Sequence, residues 1–165
     1  MLRNDVSDSP SITVYCWNNC AWPHVSIHFT TGKEQVYLSF GGEDTYEKDL
    51  EQVLWKPKSL SLPIKTDKGV GLDVNAMIEW HKQSSYSHPK QSSARAEFSY
   101  FQNNCATAVC KILTEGGAQK LLKYEKPIFG INRPGEIFDY CKKIASLANQ
   151  TSLDTSNKTV NAKLF

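Results

Sequence analysis

Between residues 11 and 40 the hydrophobic positions recur at every second residue, the period of a β-strand. Ile12, Val14 and Cys16 alternate with Thr13, Tyr15 and Trp17, and Val25, Ile27 and Phe29 alternate with His24, Ser26, His28 and Thr30. A third run, Gln35-Val36-Tyr37-Leu38-Ser39-Phe40, stops at Gly41-Gly42. The interruptions, Asn18-Asn19-Cys20-Ala21-Trp22-Pro23 and Thr31-Gly32-Lys33-Glu34, are rich in turn formers, so the three runs predict an antiparallel meander. Leu50, Val53, Leu54 and Trp55 are spaced for a short or irregular helical segment ahead of Pro57. Leu60-Ser61-Leu62-Pro63-Ile64 alternates again and reads as an edge strand, because Pro63 cannot donate to a ladder.

The period then lengthens to that of a helix. Asp73 is a helix N-cap, and Ala76, Met77 and Trp80 form the packed face of a helix through about Lys82. Residues 83–94, rich in Ser, Gln and Pro, predict a mobile loop. Asn104 caps a helix that begins at Cys105, buries Val109, Ile112 and Leu113, and stops at Gly116-Gly117, with Ala118 to Leu122 as an extension after a break. Arg133-Pro134-Gly135-Glu136 opens a last helix that buries Ile137, Tyr140, Cys141 and Ile144, with Pro134 suited to its first turn. Residues 1–10 and 150–165 lack periodicity and predict flexible ends around one α+β domain over residues 11–149.

Composition narrows this picture. A chain of 165 residues with 40% hydrophobic and 22% charged residues suits one ordinary globule with a real core. A net charge of +2 is too small to argue for nucleic acid or an anionic membrane. No apolar run is long enough to span a bilayer, and Met1-Leu2-Arg3-Asn4-Asp5 lacks the apolar core of a signal peptide. The five cysteines, Cys16, Cys20, Cys105, Cys110 and Cys141, show no disulfide framework and predict reduced thiols. That pattern points to a cytoplasmic working site, and a chain exported without a cleaved signal would look identical.

Candidate chemistry centres on Cys105. At the first position of a helix it faces unpaired N–H groups and the positive end of the helix dipole, which favour a thiolate. A thiol nucleophile needs a basic partner, usually histidine. His81 sits on a helix explained by packing and His88 in a Ser-rich loop. His24 and His28 share the polar face of one strand roughly 13 Å apart, so they cannot both reach one sulfur. His24, at the strand start after Pro23, is the candidate base, and His28 reads as a half-exposed sheet residue. Cys16-x3-Cys20-x3-His24 fits no common zinc spacing, and Gly41-Gly42 lacks the surroundings of a phosphate loop, so neither a metal nor a cofactor is expected. Cys16, Cys110 and Cys141 fall on apolar faces and read as core. Trp22, beside His24, is placed to flank a substrate groove.

His24-Val25-Ser26-Ile27 on a strand, Tyr37-Leu38-Ser39-Phe40 on the next, Leu72-Asp73 with Trp80, and Asn104-Cys105-Ala106-Thr107 with Gly116-Gly117 follow one another in order. With the closing Arg133-Pro134-Gly135-Glu136, this order over about residues 11 to 145 resembles circularly permuted papain-like domains of bacterial effectors and large toxins. It is similar, more distantly, to PPPDE isopeptidases, permuted NlpC-type endopeptidases and lecithin-retinol acyltransferase-like proteins. Many of these carry glycine before the histidine, where this chain has Pro23. The resemblance implies a small antiparallel sheet packed against a central helix with the cysteine at its N-terminus. It implies a cysteine-dependent hydrolase of an amide, isopeptide or peptide bond, using Cys105 and His24. The third, orienting group would come from the strand after the histidine, which makes Ser39 or Asp44 the candidate. Gln102 is either an oxyanion donor, as a glutamine is in papain-like enzymes, or a surface loop residue, and Asn104 would help bind substrate. The implied substrate is a protein or peptide, host or ubiquitin-like proteins among them, met in the cytoplasm or in a host cytosol after secretion. Two other functions fit the same residues: a thiol acyltransferase or deamidase, and an inactive binding module.

Overall fold

The computed structural model describes residues 9–18, 23–52, 56–67, 69–125 and 131–147. The alternating runs form strands β1 (Ser11–Trp17), β2 (His24–Thr30) and β3 (Gln35–Leu38), each antiparallel to its neighbour. A fourth strand, β4 (Lys58–Ser61), pairs antiparallel with the free side of β1, giving the order β3-β2-β1-β4. The register sets Val14 opposite Ile27 and Cys16 opposite Val25, so the apolar residues of both strands share one face.

Two strand boundaries differ from the sequence reading. The edge strand is centred earlier than expected. Its pairing with β1 covers Lys58 to Ser61, and Leu62 still donates to the Ile12 carbonyl at 2.9 Å, before Pro63 ends the ladder. Ile64 instead makes an isolated parallel bridge with Leu72. The third strand ends at Leu38 rather than Phe40, because Ser39 to Gly42 is a tight turn. The Gly42 N–H reaches the Ser39 carbonyl at 3.1 Å, and Gly41 occupies φ +83°, which a type II turn demands at its third residue. Ser39 therefore sits on a corner, where its side chain meets the next helix, α1 (Tyr46–Gln52). Of the segment expected to be helical before Pro57, Leu50 lies in α1, while Val53, Leu54 and Trp55 lie outside the described residues.

Asp73 caps α2 (Val74–Gln83), its carboxylate accepting the Ala76 N–H at 3.0 Å. The stretch expected to be a mobile loop contains a 3-10 turn over Ser85–Ser87. Tyr86 is buried there between Phe40 and Trp80, with ring centroids 4.8 and 5.9 Å away. One buried aromatic ring anchors a segment whose composition alone reads as solvated. α3 (Cys105–Glu115), α4 (Ala118–Leu121) and a helix over residues 134–147, here α5, complete the order. Ile12, Val14, Val25, Ile27 and Phe29 of the sheet pack with Met77, Ile112, Leu113, Ile137 and Ile144 of the helices in one core. No helix among the described residues is long and apolar enough to cross a membrane. The expected flexible ends lie outside the described residues apart from Ser9 and Pro10.

Candidate active site

α3 is fixed at its first turn by Asn104. The Asn104 side-chain oxygen accepts the Thr107 N–H at 2.9 Å, and its amide nitrogen donates to the carbonyls of Tyr100 and Asn132, both at 3.0 Å. Both side-chain N–H groups of Asn104 are thereby committed within the chain, and the residue is buried. This bracing places Cys105, 6% exposed, against the beginning of β2. The main-chain N–H groups of Val25, Ala106 and Cys105 itself favour the thiolate there. The residue before Val25 is His24.

His24 is held by its own set of partners. Its Nε2 lies 2.7 Å from Ser39 Oγ, and Ser39 Oγ donates to Asp49 Oδ2 at 2.5 Å. Asp49 Oδ2 is 3.9 Å from His24 Nε2, an ion-pair distance without a direct hydrogen bond. The same oxygen accepts the Tyr37 hydroxyl at 2.6 Å, and Oδ1 accepts the Glu43 N–H at 2.8 Å. Ser26 Oγ, at 2.8 Å from Tyr37 OH, closes the chain of contacts. These bonds settle the imidazole tautomer. A hydroxyl has one proton, and Ser39 gives it to the carboxylate, so Ser39 Oγ accepts from His24 Nε2–H and the lone pair is left on Nδ1.

The meeting of these three side chains depends on Gly42. A methyl group there would overlap Ser39 Oγ and stand 2.7 Å from Asp49 Oδ1 and 2.9 Å from His24 Nε2. The turn that ends β3 thus presents bare backbone to the cluster. On its other side, a methyl at Gly41 would stand 2.5 Å from the Phe98 ring.

Burial governs the electrostatics. It pushes the Cys105 thiol above its ordinary value of 9.0, and the three N–H groups oppose that only in part, with the Asp49 charge adding to the rise. The placement at a helix start, which by sequence favours a thiolate, is outweighed by desolvation. Burial also holds His24 below the ordinary 6.5, opposed by Asp49. The resting pair is therefore a neutral thiol and a neutral imidazole at neutral pH. Cys16, on β1, is pushed up to about 12, by burial first and then by Cys105.

The other sequence-derived candidates lie as follows. Asp44 is exposed at the surface. Gln102 sits on the exposed turn before α3, its N–H 3.4 Å from Ser99 Oγ. Trp22 and Cys20 lie outside the described residues. His28 is half-buried on the sheet, His81 packs edge-on against Phe29, and His88 is exposed. The carboxylate nearest His24, Asp49, was missed by sequence reasoning because five acids crowd residues 43–51. One signal was available: Asp49 follows Tyr46 by three residues and precedes Val53 by four, an acid on the inward stripe of a short helix. Among the described residues no three His, Cys, Asp or Glu side chains are grouped to hold a metal.

Comparison with known proteins places this geometry in context. A stretch of 72 residues is 38% identical to the multifunctional-autoprocessing repeats-in-toxin protein of Vibrio cholerae serotype O1 and 36% identical to that of Vibrio vulnificus. Each match takes in 42% of this chain and 1% of the toxin, so the chain spans only a small part of these relatives' length. No solved structure matches the chain. The family model of the IcsB middle domain matches residues 65–164, a span that contains α2, α3 and Cys105 and begins after the strands that carry His24 and Ser39. With more than half of its length matched, the chain belongs to the IcsB middle-domain family.

Proposed function

We propose that this domain is a cysteine-dependent acyl-transfer enzyme with Cys105 as nucleophile and His24 as its base, cutting an amide, isopeptide or peptide bond. The observation that carries this reading is the pairing at the start of β2. The Val25 main-chain N–H, next in the chain to His24, favours the Cys105 thiolate, while Ser39 holds Nε2 of the His24 imidazole and links it to Asp49. In the proposed reaction His24 Nδ1 takes the thiol proton as the sulfur attacks the carbonyl carbon. The oxyanion accepts the N–H groups at the start of α3. The tetrahedral species collapses as His24 gives its proton to the departing amine, leaving a thioester on Cys105. Water then attacks with His24 as base, and the acid leaves as the thiol is restored. Asp49, through Ser39, orients the ring and stabilises the imidazolium that forms midway.

A transferase reading of the same site is favoured by one observation. Cys105 is 6% exposed and the His24 side chain 18% exposed, so the thioester is shielded from bulk water and an amine acceptor competes well. Similarity to segments of bacterial toxins supports a role as an effector that works in a host cell.

The test is a p-nitrophenyl ester as acyl donor. Wild type is expected to release a burst of p-nitrophenolate stoichiometric with enzyme and to carry a hydroxylamine-labile adduct on Cys105. Cys105→Ala and His24→Ala should show no burst. An adduct that forms equally on Cys110, or a burst that persists in His24→Ala, would sink the reading. Decay of the adduct in water against decay with a primary amine separates hydrolase from transferase.

A further inference from the structure

Phe98, Tyr100 and Phe101 expose three large rings, 41%, 63% and 72% accessible, on the turn that leads directly into Cys105. This turn is firmly tied. Ser99 and Asn103 exchange main-chain hydrogen bonds at 2.9 and 3.1 Å, Asn103 Nδ2 donates to the Glu97 carbonyl at 2.7 Å, and the Tyr86 hydroxyl donates to Asn103 Oδ1. A braced turn that holds apolar rings in water forgoes their burial, which is the signature of a surface kept for a partner. Phe98 covers Gly41, whose neighbour Gly42 backs His24, Ser39 and Asp49, so the rings stand beside the site.

Two cations border the rings. The Arg95 guanidinium lies 5.7 Å from the centre of the Phe40 ring, which is itself 5.6 Å from Phe98. Lys111 Nζ lies 5.2 Å over the Tyr86 ring and 2.9 Å from its hydroxyl. Neither cation meets a carboxylate among the described residues, whereas Lys82 and Lys90 do. Of the four cations from His81 to Lys111, Lys82 and Lys90 are thus paired with acids outside the stretch, which leaves Arg95 and Lys111 against its single acid, Glu97.

We propose that this face docks peripherally on an anionic lipid bilayer, with Tyr100 and Phe101 at the boundary of headgroups and acyl chains and with Arg95 and Lys111 on lipid phosphates. Phe and Tyr rings displayed beside cations are the combination that holds a protein at that boundary, where neither signal suffices alone. Three rings on one turn supply far less area than a stable protein interface needs. Nucleic acid of comparable affinity would call for many more phosphate contacts than two cations provide. Docking would bring the turn that leads into Cys105 against the membrane surface. The binding does not depend on the catalytic reading.

Vesicle co-sedimentation of the full chain at millimolar lipid tests this. Wild type and Cys105→Ala are expected to pellet equally with phosphatidylcholine–phosphatidylserine vesicles, and far less with phosphatidylcholine alone. Tyr100→Ser/Phe101→Ser, which alters only exposed positions, should weaken the partition about tenfold or more at unchanged Tm. Arg95→Gln/Lys111→Gln should abolish the preference for phosphatidylserine. The proposal is overturned if wild type fails to pellet, if the double serine variant pellets like wild type, or if a single-stranded oligonucleotide is bound in place of vesicles.

Discussion

Gly42, Ser39 and Asp49 illustrate how closely the proposed chemistry depends on single atoms. Gly42 matters for the room it leaves, since its missing Cβ is the space into which three polar side chains converge. Gly42→Ala is expected to lower kcat/KM at least about 100-fold, the cost of displacing a catalytic group by an ångström. Its Tm should fall by only a few degrees, because the shift stays at a corner of the sheet. A burst assay beside a calorimetric scan checks both. Asp49→Asn carries a signed pH prediction. His24 must be neutral to act as base, and its pKa lies below 6.5 because burial outweighs the raising influence of Asp49. The acid limb of kcat/KM in wild type therefore lies below the ordinary histidine value, and removing the Asp49 charge moves it lower still. The plateau should drop about 10²- to 10⁴-fold as the ring loses its orienting charge. Ser39→Ala breaks the hydroxyl link and leaves Asp49 Oδ2 3.9 Å from Nε2, so the loss should be smaller, about 10- to 100-fold. An acid limb that stays in place in Asp49→Asn would show that this carboxylate does not act on His24.

At the scale of elements, α3 is where sequence and structure coincide most closely, because its cap is local chemistry. Asn104, the helix start at Cys105 and the stop at Gly116 all follow from side-chain and main-chain preferences a few residues apart. The same holds for Asp73 and α2. What could not be read in the sequence depends on distant partners. Ser39 leaves the strand pattern because Asp49, ten residues on, draws its hydroxyl. Tyr86 anchors a Ser-rich stretch because Phe40 and Trp80 wait for it. The Asn104 side chain also ties α3 to residues 100 and 132, links that no local pattern announces. Asn104→Ala is accordingly expected to cost roughly 2–4 kcal/mol, a lost cap together with the two hydrogen bonds to the Tyr100 and Asn132 carbonyls. The corresponding fall in Tm is about 5–12 °C. Asn104→Asp, which keeps the cap acceptor and loses both donors, should fall between wild type and alanine. Denaturant unfolding of the three proteins gives the ordering, and an aspartate as damaging as alanine would remove the cap from the explanation.

For the molecule as a whole, burial sets an alkaline limit on stability. Thiols and phenols on several elements are withdrawn from water. Burial pushes Cys16 up to about 12, Tyr124 up to about 12, and Cys105, Cys141, Tyr37 and Tyr140 upward as well. In the unfolded chain the same groups ionise near 9.0 for cysteine and 10.0 for tyrosine. Above those values the unfolded state holds fewer protons than the folded one, so stability falls as pH rises. The contribution is present in full below about pH 9 and is lost progressively toward 12. Thermal scans should accordingly give a Tm that is level through neutral pH and drops steeply above about 9. Cys141→Ala, which removes one of the deepest thiols, should flatten the decline even though its cavity lowers Tm at neutral pH. Tyrosinate absorbance distinguishes this from simple surface repulsion. The part contributed by Tyr37, Tyr124 and Tyr140 should appear only with the loss of near-ultraviolet circular dichroism. All seven tyrosines titrating near pH 10 in a chain that stays folded would show that burial does not hold their protons.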